Sequence, residues 1–133
     1  MAFKLVAIGL VALAGSAAAP AESWRAGSSG LGATAYIDTD SIRREGDLVH
    51  FRREVRWPEV RSFGDGTRYD RLLSHYQGDC RAMTLRSLAI RVKLGDSVVL
   101  SVDEADEIET ASPGSTAEVD LRAACFGEWP AAR

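Results

Sequence analysis

Leu48-Val49-His50-Phe51-Arg52-Arg53-Glu54-Val55-Arg56-Trp57 is the stretch that decides the fold. Val49, Phe51, Val55 and Trp57 alternate with His50, Arg52, Glu54 and Arg56, and a period of two sorts apolar from polar side chains onto opposite faces only in an extended strand. Arg53 interrupts the apolar set, which suggests an edge or a ragged rim of the core. Pro58 has no N–H for a ladder, so the strand is expected to end there, with Phe63-Gly64-Asp65-Gly66-Thr67 as a loop.

The same period extends outward in both directions. Tyr69 to Gln77 reads as a strand with Leu72 and Leu73 on opposite faces. In Ala82 to Leu94, Leu88, Ile90, Val92 and Leu94 share one face and Arg91 and Lys93 the other. Gly95-Asp96 is a two-residue hairpin signal leading into Ser97 to Val102. Toward the N-terminus, Trp24 to Gly27 and Ala33 to Ile37 form a first hairpin through the turn-rich Ser28-Ser29-Gly30-Leu31-Gly32. Strand burial should make Trp24 and Trp57 core anchors. Trp129, beyond the last element, either folds back over the sheet edge or stays an exposed contact.

Asp103 to Glu109 is an acidic run, read as a solvated loop because it has neither the glycine nor the ligand spacing of a calcium loop. After Ser112-Pro113-Gly114 the period changes. Ser115-Thr116-Ala117-Glu118 fits a capping box, and Ala117, Leu121, Ala124 and Cys125 follow at helical spacing. The expected fold is α+β: about six antiparallel strands with one C-terminal helix packed on the sheet.

The N-terminus reads differently from the rest. Met1 to Lys4 carries one positive charge, Leu5 to Ala14 is apolar, and Ala19-Pro20-Ala21 supplies small residues for cleavage. That is a signal peptide pattern over residues 1–21, with cutting after Ala18 or Ala19 as the alternative. The apolar run is shorter than the roughly 20 residues that span a bilayer, and no cysteine follows for lipid anchoring. Residues 22–133 are therefore expected to be one exported domain, not inserted in the membrane after cleavage, most simply in the periplasm and otherwise on the cell surface or secreted.

Two cysteines in an oxidising compartment read as one disulfide, Cys80 with Cys125, fastening the helix to the sheet. A zinc shell would need more ligands than these, and His50 and His75 lie at no ligand spacing. The formal charge of −3 offers no basic footprint for nucleic acid. No Gly-x-Ser-x-Gly elbow is present, and each histidine reads as a strand residue rather than a catalytic base. A small hydrolase-type enzyme is thus the third-ranked reading, and no catalytic residue, cofactor or metal is implied.

The landmarks Trp24, Ala35-Tyr36-Ile37-Asp38, Ser41-Ile42-Arg43 before Gly46, Asp79-Cys80, and Ser112-Pro113-Gly114-Ser115 ahead of a short helix finishing at Cys125 together resemble the surface-adhesin protein E family of small exported bacterial proteins. The resemblance implies a six-stranded antiparallel sheet with a packed C-terminal helix and a Cys80–Cys125 bridge. It also implies attachment to extracellular matrix and epithelial surfaces. This sequence departs from the adhesin pattern in lacking a lipidated cysteine. The leading functional expectation is a non-enzymatic, adhesin-like binding protein whose partners are matrix or envelope proteins. A soluble periplasmic accessory protein without a host ligand is the alternative. The expected ligand surface is the sheet face without the helix, with Arg43, Arg52 and Arg56 as its candidate residues, because arginine pairs bidentately with acidic groups.

Overall fold

The computed structural model describes residues 23–131, so the expected leader lies outside the described residues. Within them run β1 (Trp24–Gly30), β2 (Ala33–Asp38), β3 (Arg43–Glu45), β4 (Leu48–Ser62), β5 (Arg68–Asp79), β6 (Thr84–Leu94), β7 (Ser97–Val102), β8 (Glu109–Thr110) and α1 (Thr116–Phe126). The main sheet has the order β1-β2-β4-β5-β6-β7, all antiparallel, with the short β3 added to β4 and β8 to β6. The six expected strands are the six of this path.

Several local readings need correction. β4 does not stop at Pro58 but continues to Ser62. Its pairing with β5 skips from Arg56 to Arg61, and β2 has already ended opposite Arg56, so the proline sits where no ladder bond is required of it. β1 extends through Ser28–Gly30, and the turn is only Leu31-Gly32, both at positive φ (54° and 79°), the geometry of a tight two-residue hairpin. On β6 Leu88 is an extra residue between Ser87, opposite Tyr76, and Ala89, opposite His75. This bulge changes the alternation, so Leu85 and Ser87 share the helix-facing side with Ile90 and Val92.

α1 begins where the capping box placed it. The Ser115 side chain accepts the Glu118 N–H at 3.1 Å, while the Glu118 carboxylate accepts the Gly114 N–H at 3.1 Å, one residue before the expected partner. Gly127, at φ 68°, closes the helix, its N–H bonding back to Ala123 and Arg122 carbonyls. Leu121 and Ala124 are buried against Ile37, Val49, Phe51 and Leu85, and this cluster is the core. The helix lies so close to β5 that a Cβ on Gly78 would come within 2.5 Å of Leu121 Cδ1. Cys80 and Cys125 are bonded, with Cα atoms 5.6 Å apart, and link the end of β5 to the last turn of α1. In the chain-entropy model a loop of this length contributes roughly 4 kcal/mol.

Arg53 is neither at an edge nor at a rim. It lies in the central strand on the helix-facing side, where its Nε donates to Asp120 at 2.7 Å. Asp120 is fully buried on α1 and also accepts the Ser28 N–H and hydroxyl at 2.8 and 2.7 Å. A charge in the apolar set of β4 is thus matched by a charge in the apolar stripe of α1. The tryptophans depart from the expectation too. Trp24 and Trp57 are half-buried rather than core: Trp24 lies under the Arg52 and Arg56 guanidinium groups, and Trp57 meets Tyr69 edge-on at 5.6 Å. Trp129 folds back, packing against the core cluster beneath the Arg25 guanidinium.

Candidate functional site

Strand register decides which side chains meet on the face turned away from α1. Glu54 sits opposite Tyr36 and Leu73, Arg52 opposite His75, and His50 opposite both Arg43 and Gln77. The alternate residues of β4 therefore bring Arg52 and Arg56 onto this face, and β3 adds Arg43 beside them. The three candidate arginines share one surface. β5 and β6 extend it with Arg71, Arg86, Arg91 and Lys93. These four were missed because Arg71 and Arg86 gain meaning only from the register that sets them beside β4, although the alternation of Arg91 and Lys93 was visible.

The cations fall into two groups. At one end Glu54, only 2% exposed, accepts the Arg56 Nε at 2.7 Å and the Lys93 Nζ at 3.2 Å, with Arg71 at 3.7 Å. Arg56 also lies 4.3 Å over the Tyr36 ring. This end is a packed ion cluster in which three cations share the Glu54 carboxylate and Arg71 also lies 3.7 Å from the exposed Asp96, and a buried carboxylate needs such company. Arg91 pairs at the margin with Asp103 at 2.7 Å.

At the other end Ser41, Arg43, Glu45, His50, Arg52 and His75 line an open depression of about 680 Å³. Arg52 is 3.5 Å from Asp38. The Ser41 hydroxyl accepts the Arg52 N–H at 2.9 Å and donates to the Asp38 carbonyl at 2.6 Å, which fixes the wall between β2 and β4. Arg86 donates to the Gln77 Oε1 at 3.2 Å, and the Gln77 Nε2 lies 3.4 Å from the His50 Nε2. Partial burial first, and then the charges of Arg52, His50, Arg43 and Arg91, hold the His75 pKa below the usual 6.5. His75 is therefore neutral at neutral pH, and the surrounding cations add to the effect of burial.

Among the described residues no three His, Cys, Asp or Glu side chains group to hold a metal, and no helix is long and apolar enough to cross a membrane. The acidic run is exposed as expected, but it is not wholly a loop. Asp103 ties to Arg91, the Asp106 N–H bonds to the Ser87 carbonyl, and Glu109 enters β8 opposite Leu85.

Protein E of Haemophilus influenzae, as solved in its crystal form II, is similar in fold: the identity is 15%, the alignment covers 71% of this chain and 83% of that one, and the TM-score is 0.55. No curated protein matches the sequence. The family model for surface-adhesin protein E matches residues 24–126. That match runs from the first residue of β1 to the last of α1, and the chain belongs to the surface-adhesin protein E family.

Proposed function

We propose that this protein is an exported, non-enzymatic, adhesin-like binding protein that meets an acidic matrix or envelope partner through the sheet face opposite α1. The observation that carries the reading is the clustering of Arg43, Arg52 and Arg56 with four further cations on the one broad face the helix leaves open, in a chain whose formal charge is −3. Positive charge gathered on one side of an acidic protein favours encounter with polyanions by local potential rather than by net charge. Family membership supports adhesion as the role and the cell surface as its place.

Two measurements test this. The purified mature protein, expected to begin at Glu22 or within about two residues of it, is assayed for binding to immobilised matrix proteins at low and at physiological salt, beside Arg43→Ser/Arg52→Ser/Arg56→Ser. Binding should fall with salt and with the triple substitution, because exposed charge contacts are screened. Protease treatment of intact cells should remove the protein. Resistance would place it in the periplasm and favour the accessory role, and a triple variant that binds like wild type would overturn the assignment of the face.

A further inference from the structure

Resting on that reading and narrowing it, we propose that the depression between β3, β4 and β5 holds a sulfate group of a linear sulfated polysaccharide, with Arg43, His50, Arg52 and His75 as its ligands, and that mild acid strengthens the hold.

The location follows from how the cations are already engaged. Arg56, Arg71 and Lys93 converge on the buried Glu54, so an incoming anion there competes with a carboxylate that has nowhere else to go. At the β3 end, Arg43 and His75 are exposed and border the depression together with Arg52, which is itself engaged by Asp38. Among the described residues, the carboxylates at this end are Asp38, 3.5 Å from Arg52, and Glu45 on the rim. Glu54 lies one pair further along β4, and the Asp79 Oδ1 accepts the Arg81 and Ala82 N–H groups at 2.9 Å each.

The ligand class follows from the lining. Ser41, Arg43, Arg44, Glu45, His50, Arg52 and His75 include no Leu, Ile, Val, Met, Phe, Tyr or Trp, whereas protein partners are usually anchored by aromatic residues in well-packed pockets. A glycan needs no apolar anchor. Arg43, His50, Gln77 and Arg86 form one row across β3, β4, β5 and β6, and Arg52 and His75 begin a second row beside it. With strands about 4.8 Å apart the first row spans about 14 Å, so its arginines can meet successive anionic groups of an extended chain. Sulfate suits the site because arginine forks and imidazole N–H groups both donate to its oxygens, and it keeps its charge in mild acid.

Acid enters through His75, since imidazole is the one side-chain type on this face whose ordinary titration falls between pH 5 and 8. The groups facing it are Arg52 and His50 on β4, Arg43 and Glu45 on β3, Gln77 along β5, and Arg86 and Arg91 on β6. A bound sulfate offsets the cations that, after burial, help hold the imidazole neutral, and linkage then requires sulfate affinity to rise as His75 gains its proton below pH 6.5.

The experiment is calorimetric titration of the mature protein with a heparin oligosaccharide at pH 7.5 and 5.5. One added cation near a bound sulfate should tighten binding by about three- to tenfold on acidification. In His75→Gln the response to acid should shrink, and in His50→Gln/His75→Gln it should vanish, while binding at pH 7.5 persists. Arg43→Gln/Arg52→Gln should lose about tenfold at both pH values. Arg71→Gln, at the Glu54 end of the same face, should lose clearly less than the double variant. Circular dichroism establishes that each variant is folded, and the His75 ring resonances should titrate at higher pH with the oligosaccharide than without. An acid response undiminished in His50→Gln/His75→Gln, or an Arg71→Gln loss equal to that of the Arg43→Gln/Arg52→Gln variant, overturns the site while leaving the adhesin reading standing. Equal binding of hyaluronan, which carries carboxylates alone, overturns the choice of sulfate. Binding to matrix proteins but to no polysaccharide overturns the ligand class. Failure to bind either one overturns the broader reading as well.

Discussion

Replacing Asp120 by alanine tests the least expected feature of the core. The Asp120 side chain is 1% exposed and accepts three hydrogen bonds, from the Arg53 Nε at 2.7 Å and from the Ser28 N–H and hydroxyl at 2.8 and 2.7 Å. Truncation leaves a buried amide, a hydroxyl and a guanidinium without their acceptor. Removing one partner of a buried ion pair costs about 3–5 kcal/mol. Arg53 keeps 16% of its side-chain surface, so water can reach it in part, and the lower end, about 3 kcal/mol, is expected. That is a large share of the roughly 5–15 kcal/mol that holds a small domain together. Urea unfolding followed by far-ultraviolet circular dichroism, with the disulfide intact, reads the change as a shift of midpoint at constant slope. Arg53→Met should also destabilise, since it strands the carboxylate. The Arg53→Met/Asp120→Ala double variant should then cost less than the two single costs combined, by about 1–3 kcal/mol. Asp120→Ala within about 1 kcal/mol of wild type, or strictly additive costs, would refute the claim that the pair is a single coupled unit.

Gly78→Ala should destabilise by about 1–3 kcal/mol through overpacking, because its Cβ would meet Leu121 Cδ1 at 2.5 Å and Val49 Cγ1 at 3.1 Å; thermal denaturation measures it. Leu31→Asn should instead raise the melting temperature, since Leu31 is 99% exposed at φ 54°, where a leucine costs roughly 1–2 kcal/mol and asparagine is at ease. Cys80 and Cys125 should show no titratable thiol in the native protein, and Cys125→Ser should lower stability by about 2–5 kcal/mol in equilibrium unfolding.

The strands and the helix were legible in the sequence because their signals are local. Alternation along Leu48 to Trp57 sorts side chains by face wherever the strand lies, and Ser115 with Glu118 marks a helix start through bonds spanning three or four residues. The disulfide was legible from chemistry, since two cysteines in an exported chain leave little other use for the pair. What failed locally failed for lack of a partner. Pro58 reads as the end of a central strand, but β4 runs on through it because its pairing with β2 ends before it, and only the ladder shows that. Arg53 looked like a defect in a core pattern until Asp120, 67 residues away, was beside it.

The candidate face divides in the same way. That Arg52 and Arg56 share one side of a strand with His50 is determined by the period of two alone. Arg43 joining them is a matter of β3 adding to β4. That Arg56 is tied to Glu54 while Arg52 borders an open depression depends on Lys93 and Arg71 arriving from β6 and β5, at sequence distances of 39 and 17 residues. Sequence determines which side of its own strand a residue takes, because that depends on backbone geometry over two residues. The availability of a charge depends on which opposite charges the sheet sets beside it, and strand order and register alone decide that.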